Sequence, residues 1–227
     1  MKYFLILLSL ISCITYAETR TKVVIIDSGI SKTQSAQKYM CKNGNINFTD
    51  SKNKYDEHGH GTNILSIISK SINPKTHCVI SVKVWHPTID GYRTIEATTS
   101  AIRLANRLNA NFVNISMNGD YFSKKEFDAI KKFVKKGGIL TVAAGNEKSN
   151  LNKHCNAFPA CYRKLLPHKN FHVVGAVDTA YSNFGNVVTD IEKGNKVGFP
   201  IMSGTSQASA VKMAKILKVV VLSSRGK

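Results

Sequence analysis

The sequence predicts an α/β protein, with a mostly parallel sheet covered by helices on both faces. Three observations lead to that class. Five short runs rich in Val and Ile, at residues 23–27, 78–85, 111–117, 138–144 and 171–177, are apolar enough for strands buried on both sides. Segments of helical periodicity lie between several of them. The polar residues able to do chemistry gather where the runs end, and open parallel sheets bind ligands outside the carboxyl ends of their strands.

In chain order, the first run closes on a carboxylate and a turn, Asp27-Ser28-Gly29. His58-Gly59-His60-Gly61-Thr62 then opens a helix. After the run at 78–85, Ile95, Thr98, Ala101, Ile102, Ala105 and Leu108 recur at helical spacing. The run at 111–117 passes into an extended polar edge, Ser116-Met117-Asn118-Gly119. Ser123-x-x-Glu126 reads as a capping box, followed by Phe127, Ile130 and Val134 on one helical face and by Gly137 as a stop. The run at 138–144 ends on small residues and an amide, Ala143-Ala144-Gly145-Asn146, and Ser203-Gly204-Thr205-Ser206 opens the last helix after the run at 171–177.

Apolar residues make up 43% of the 227, which is ample for a core and argues against disorder despite a net charge of +18. One domain of about 100–250 residues is the expectation. No repeat, low-complexity stretch or long linker divides the chain. The 32 Lys and Arg against 14 Asp and Glu invite a nucleic-acid or anionic-surface partner. Lys124, Lys125, Lys131, Lys132, Lys135 and Lys136 cluster on one helix, and Lys212, Lys215 and Lys218 recur every third residue on the last. No helix-turn-helix, zinc finger or aromatic single-strand platform accompanies them, so an anionic envelope surface or an acidic partner is favoured over nucleic acid.

Residues 1–17 place Lys2 before a short apolar run and end on Ala17, the pattern of a secretory signal, leaving 18–227 as the folded domain. The run is shorter than the ~20 residues a membrane span needs. Leu10-Ile11-Ser12-Cys13 offers a second reading, a lipoprotein anchored through an acylated Cys13. Either way the chain is expected outside the cytoplasm, secreted or periplasmic. Cys41, Cys78, Cys155 and Cys161 then read as two disulfides with three pairings open. The short spacing suits a small loop between Cys155 and Cys161, which would leave Cys41 with Cys78. Without a C-x-x-C pair, structural zinc has little support, and His58-x-His60 lacks a third ligand, so no metal is expected.

Taken singly, a strand-end Asp, a His beside Gly and a Ser opening a helix are usually structural. Together Asp27, His60 and Ser206 supply orienter, base and nucleophile of an acyl-transfer triad, in an order one protease lineage uses. The sequence resembles the subtilisin-like serine peptidases through Asp27-Ser28-Gly29, His60-Gly61-Thr62 and Gly204-Thr205-Ser206-Gln207-Ala208. Phe158-Pro159-Ala160, 173–178 and Ser182-Asn183-Phe184-Gly185 extend the likeness over residues 22–221.

The resemblance implies a three-layer subtilisin-like fold and an exported serine endopeptidase acting on protein or peptide. It implies that Asn146 and the Ser206 N–H bind the oxyanion. Substrate would add a strand to Ser116, Met117, Asn118 and Gly119, with Ala143, Ala144 and Gly145 walling a roomy apolar pocket for the residue before the cleaved bond. No cofactor is expected; a structural calcium is compatible with the family but not indicated by these residues. The alternative function is a catalytically impaired homologue that binds an anionic surface or acidic partner.

Three local departures stand out. Relatives usually continue His-Gly-Thr-His-Val-Ala-Gly where this chain has His60-Gly61-Thr62-Asn63-Ile64-Leu65-Ser66, so helix packing beneath the base should differ. Ala210 replaces a common Pro, and Glu192-Lys193-Gly194 replaces Ala-Pro-Gly, which should alter the local turn. Val23 also opens the first strand close behind the expected cut, which implies folding without a covalent propeptide, with a separate chaperone or inhibitor in its place.

Overall fold

The computed structural model describes residues 20–224; the expected signal segment 1–17 and Cys13 lie outside the described residues. Seven strands are joined in one sheet: β1 (Thr21–Asp27), β2 (Met40–Asn47), β3 (His77–Lys83), β4 (Phe112–Ile115), β5 (Ile139–Ala143), β6 (Phe171–Ala176) and β7 (Asp190–Glu192). Their order is β2-β3-β1-β4-β5-β6-β7 and every neighbouring pair is parallel. Among the described residues five α-helices accompany them: α1 (Gln34–Gln37), α2 (His60–Ile68), α3 (Gly91–Arg107), α4 (Lys124–Lys135) and α5 (Thr205–Ser224).

Alternation along each strand divides the core into two layers. On β1, Val24 and Ile26 join Val113, Ile115 and Val142 against Ala101 and Ile102 of α3 and Ile130, Phe133 and Val134 of α4. Val23 and Ile25 face the other way, with Val79 and Phe112, onto Ile64 and Ile68 of α2 and Ala210, Met213 and Leu217 of α5. The result is a helix–sheet–helix sandwich. From β1 the chain first builds β2 and β3 on one side, then β4 to β7 on the other, so a crevice opens between the carboxyl ends of β1 and β4.

The five anticipated strands form within two residues of their expected bounds. β2 and β7 carry no comparable signal. Each pairs along one side only, so neither needs a continuous apolar run; β2 reads Met-Cys-Lys-Asn-Gly-Asn-Ile-Asn and shifts register between Met40 and Asn45. The box opening α4 also differs from expectation. Ser123 Oγ accepts the Glu126 N–H at 3.3 Å, but the Glu126 carboxylate does not return the bond. The Tyr162 hydroxyl takes its place, accepting the Ser123 N–H at 3.0 Å and lying 2.7 Å from Glu126 Oε2. Tyr162 is fully buried, so it draws the carboxyl inward and away from the backbone.

Lys212 and Lys215 do not form a free basic stripe. They pair with Asp190 and Glu192 of β7 at 2.5 and 2.6 Å, fastening α5 to the sheet edge. Glu192, expected near an altered turn, thus ends the seventh strand.

Two disulfides join Cys41 to Cys78 and Cys155 to Cys161. The first ties β2 to β3 across 37 residues of chain; the second closes a loop of 6. Loop-closure entropy gives about 4 kcal/mol for the first against about 2 kcal/mol for the second. Denaturant unfolding of Cys41→Ala/Cys78→Ala and Cys155→Ala/Cys161→Ala should show the larger loss in the former; an equal or reversed loss contradicts the assignment of β2 as a tethered edge.

Candidate active site

Asp27 ends β1 at the crevice and is 1% exposed. Its Oδ1 accepts the Ser28 N–H at 2.7 Å and meets His60 Nδ1 at 2.7 Å, while Oδ2 is buried with no hydrogen-bond partner among the described residues. His60 is the first residue of α2, delivered by Gly59 in the left-handed region at φ +92°. A side chain at Gly61 would place Cβ 2.0 Å from the Gly29 carbonyl oxygen, so only glycine lets α2 begin this close to the strand-end turn.

Asp56 locks that junction, and nothing in the sequence marked it. Its Oδ1 accepts from the His58 and Gly59 N–H groups and the Ser28 hydroxyl, and its Oδ2 from the Thr62 N–H and hydroxyl. Burial opposes ionisation of Asp56, but those bonds outweigh it and hold its pKa below the usual value. The preceding loop is held by Lys83, fully buried at the end of β3. Its ammonium donates to the Asn53 and Tyr55 carbonyls and to Glu57 Oε2 at 2.5 Å, and this bond leads in holding the Glu57 pKa down to about 2. His58 turns outward, with its ring edge-on to Trp85 at 4.8 Å. Among the described residues no three His, Cys, Asp or Glu side chains gather to hold a metal.

Ser206 is the second residue of α5 and 8% exposed. Its hydroxyl donates to the Ser116 carbonyl at 2.9 Å rather than to His60. Beneath it a buried polar cluster fixes the helix start: Ser209 Oγ lies 2.8 Å from the Ser206 carbonyl, and Asn114 Nδ2 donates to Ser116 Oγ at 2.7 Å. Thr141 Oγ1 donates to Asn114 Oδ1 at 2.8 Å. At a helix N-terminus the backbone N–H groups lack intrahelical partners and the dipole favours negative charge.

Asn146 follows Gly145, whose φ of +102° and contact with Asn183 leave no room for a side chain. Asn146 Oδ1 accepts from the Thr205 N–H and hydroxyl at 2.9 and 3.1 Å, which leaves its Nδ2 without a protein partner among the described residues. Asn183 braces this loop, donating to the Ala144 carbonyl and accepting from the Glu147 and Ser149 N–H groups.

The two expected rims of the cleft face each other. Gly119 commits its N–H and carbonyl to Phe158 at 2.9 and 2.8 Å, so the edge open to another strand is 116–118. Ala143 and Ala144 are buried, and Gly145 bonds to Thr205 and Asn183. Asn118 Nδ2 donates to the Ala143 carbonyl at 3.0 Å, so a polar side chain joins the rims where a roomy apolar gap was expected.

The departures beside His60 also acquire a role. Asn63, fully buried, donates to the Val197 and Pro200 carbonyls at 2.8 and 2.5 Å and accepts from Gln207 Nε2 at 2.9 Å. Ser66 Oγ accepts the Phe199 N–H at 2.7 Å. Together they clamp the loop leading to Ser206 onto α2.

The sequence profile of the Subtilase family matches residues 18–218. The chain is 31% identical over 216 residues to the subtilisin-like serine protease Pen c 1 of Penicillium citrinum, covering 86% of this chain and 52% of that protein. To the subtilisin of Bacillus pumilus it is 27% identical over 205 residues, covering 84% and 70%. The chain spans about half the length of most curated relatives it matches. The crystal structure of a cold adapted subtilisin-like serine proteinase superposes with a TM-score of 0.73 at 21% identity, covering 89% of this chain and 76% of that one. That of a lanthipeptide protease gives 0.69 at 19%, covering 88% and 72%. These likenesses show the fold.

Burial alone would depress the His60 pKa; the charge and hydrogen bond of Asp27, with the charge of Asp56 behind them, raise it above the ordinary histidine value of 6.5. Because the folded pKa is the higher, this pair's contribution to stability is full below about 6.5 and is lost as pH rises through the folded pKa. NMR titration of Ser206→Ala protein should therefore find His60 above 6.5, and Asp27→Asn should lower it. An unchanged titration in Asp27→Asn contradicts the pairing.

Proposed function

The chain belongs to the subtilase family, and on that premise we propose that it is a serine endopeptidase. The observation that carries the reading is the 2.7 Å bond between Asp27 and His60 at the crevice where β4 ends and α5 begins, beside the Asn146 loop. Ser206 attacks the scissile carbonyl carbon while His60 removes its proton; Asp27 keeps the imidazole in the tautomer with hydrogen on Nδ1 and stabilises the imidazolium. The carbonyl oxygen becomes an oxyanion, met by Asn146 Nδ2 and the Ser206 N–H. His60 then passes its proton to the leaving amine, and a water repeats the sequence on the acyl-enzyme.

The resting bond from the Ser206 hydroxyl to the Ser116 carbonyl gives substrate a part in activation. A substrate strand added to the 116–118 edge presents its own N–H to that carbonyl, and the displaced hydroxyl turns to His60. Two disulfides and the export pattern of residues 1–17 support an extracytoplasmic setting, with Cys13 acylation as the variant form of anchoring. In that setting the remaining positive charge acts as an address toward an anionic envelope or acidic protein, with the peptide bond as the substrate.

A fluorophosphonate probe should label wild-type protein at Ser206 and leave Ser206→Ala unlabelled, with kcat on peptide falling about 10⁶-fold. Asn146→Ala should lower kcat about 10²–10³-fold with KM little changed. The acid limb of kcat/KM should lie above 6.5, following the raised His60 pKa. Labelling or full hydrolysis that survives Ser206→Ala would sink the proposal.

A further inference from the structure

Beside the 116–118 edge lies a cavity of about 160 Å³ that the chemistry above does not use. Trp85, Ile89, Ile95, Met117 and Phe158 supply apolar walls, Thr94, Thr98, Asn118 and Tyr121 add neutral polar groups, and the charged residue of the lining is Glu126. Glu126 is 3% exposed, which is unusual for a carboxylate near the start of an amphipathic surface helix. Its Oε2 is held at 2.7 Å by the Tyr162 hydroxyl, whereas Oε1 has no hydrogen-bond partner among the described residues. Among them, too, no Lys, Arg or His pairs with it. Burial pushes its pKa up to about 7, with only the Tyr162 bond working against the rise. An ordinary capping glutamate would direct its carboxylate to the backbone N–H of its cap. Here that bond belongs to Tyr162, and the carboxyl is left lining a cavity with one oxygen unengaged.

The geometry points to Glu126 as a specificity-determining residue that receives the lysine or arginine side chain of a bound peptide. This rests on the endopeptidase reading, since the peptide is the strand proposed to pair with 116–118. In such a strand alternate side chains fall on one side, so one or two of them are directed at a cavity flanked by Met117 and Asn118. Lys and Arg combine a long aliphatic stem with a terminal cation, which matches apolar walls that end on an anion. The Trp85 ring, which also lines the cavity, is an aromatic group of the kind that attracts such cations. Tyr162 keeps the carboxyl in place, and the cation supplies the counter-charge that the protein omits.

Trp85 is the chain's only tryptophan, so its fluorescence reports occupancy of the cavity directly. The test titrates Ser206→Ala protein with otherwise identical hexapeptides that place lysine, acetyl-lysine or norleucine at each position in turn. At one position lysine should bind about tenfold or more tightly than acetyl-lysine and norleucine, the scale of a charged hydrogen bond in a buried site. In Ser206→Ala/Glu126→Gln that advantage should disappear while norleucine binding is retained. Equal affinity for the three peptides at every position, no binding at all, or a lysine preference that survives Glu126→Gln overturns the proposal. The peptide comparison needs no substitution at Glu126, so it remains decisive even where the Gln variant fails to fold. A wild-type protein that binds the lysine peptide but neither cleaves it nor takes the fluorophosphonate would refute the endopeptidase reading alone.

Discussion

The seven strands of the described sheet run in one direction, and that constraint organises the rest of the molecule. Parallel strands open every carboxyl end on the same edge, so polar groups at the ends of β1, β4 and β5 become neighbours although they are far apart in sequence. The reversal of strand order beside β1 spreads the helices apart and leaves a crevice there. Asp27 and Ser116 rise from two strands that flank it, and the starts of α2 and α5 bring His60 and Ser206 to the same edge. Helix N-termini are apt for this task, because their unpaired N–H groups and dipole suit negative charge.

Burial of charge near this edge is consistently compensated. Asp27 meets His60, Asp56 gathers five donors, and the Lys83 ammonium sits among two carbonyls and Glu57. Leaving any of these charges unpaired would be strongly destabilising, so each network also fixes the backbone that carries it. The loop from Asn53 to Thr62 is held in this way at both ends, which sets the position of His60 more firmly than the short helix α2 could alone. Glu126 is the exception, a buried carboxyl with no counter-charge among the described residues, and it lies against a cavity rather than in the core.

The departures from the common subtilase pattern are structural solutions rather than losses. Asn63 and Ser66, which replace the usual residues after the base, hold the loop of residues 197–200 through three hydrogen bonds. Glu192 and Asp190 anchor α5 through Lys215 and Lys212, so part of the large positive charge is neutralised inside the fold. Asn118 joins the two rims of the cleft by bonding to Ala143, which places a polar side chain between them.

Read alone, the sequence determined the layer architecture, the five central strands, and Asp27, His60, Ser206 and Asn146 as a candidate set. Those features are encoded locally: buried parallel strands demand continuous apolar runs, and strand-end or helix-opening motifs carry their own spacing. It was silent on β2 and β7, because an edge strand paired on one side needs little apolar pattern. It could not foresee the networks of Asp56 and Lys83, the bond from Asn118 to Ala143 or the displacement of the Glu126 carboxyl by Tyr162. Each of these includes a partner brought close only by packing, as Ser28 is to Asp56 across 28 residues of chain and Tyr162 to Glu126 across 36. Tertiary structure decided them because a polar side chain is defined by the group it meets once water is excluded, and that group is rarely its neighbour in sequence.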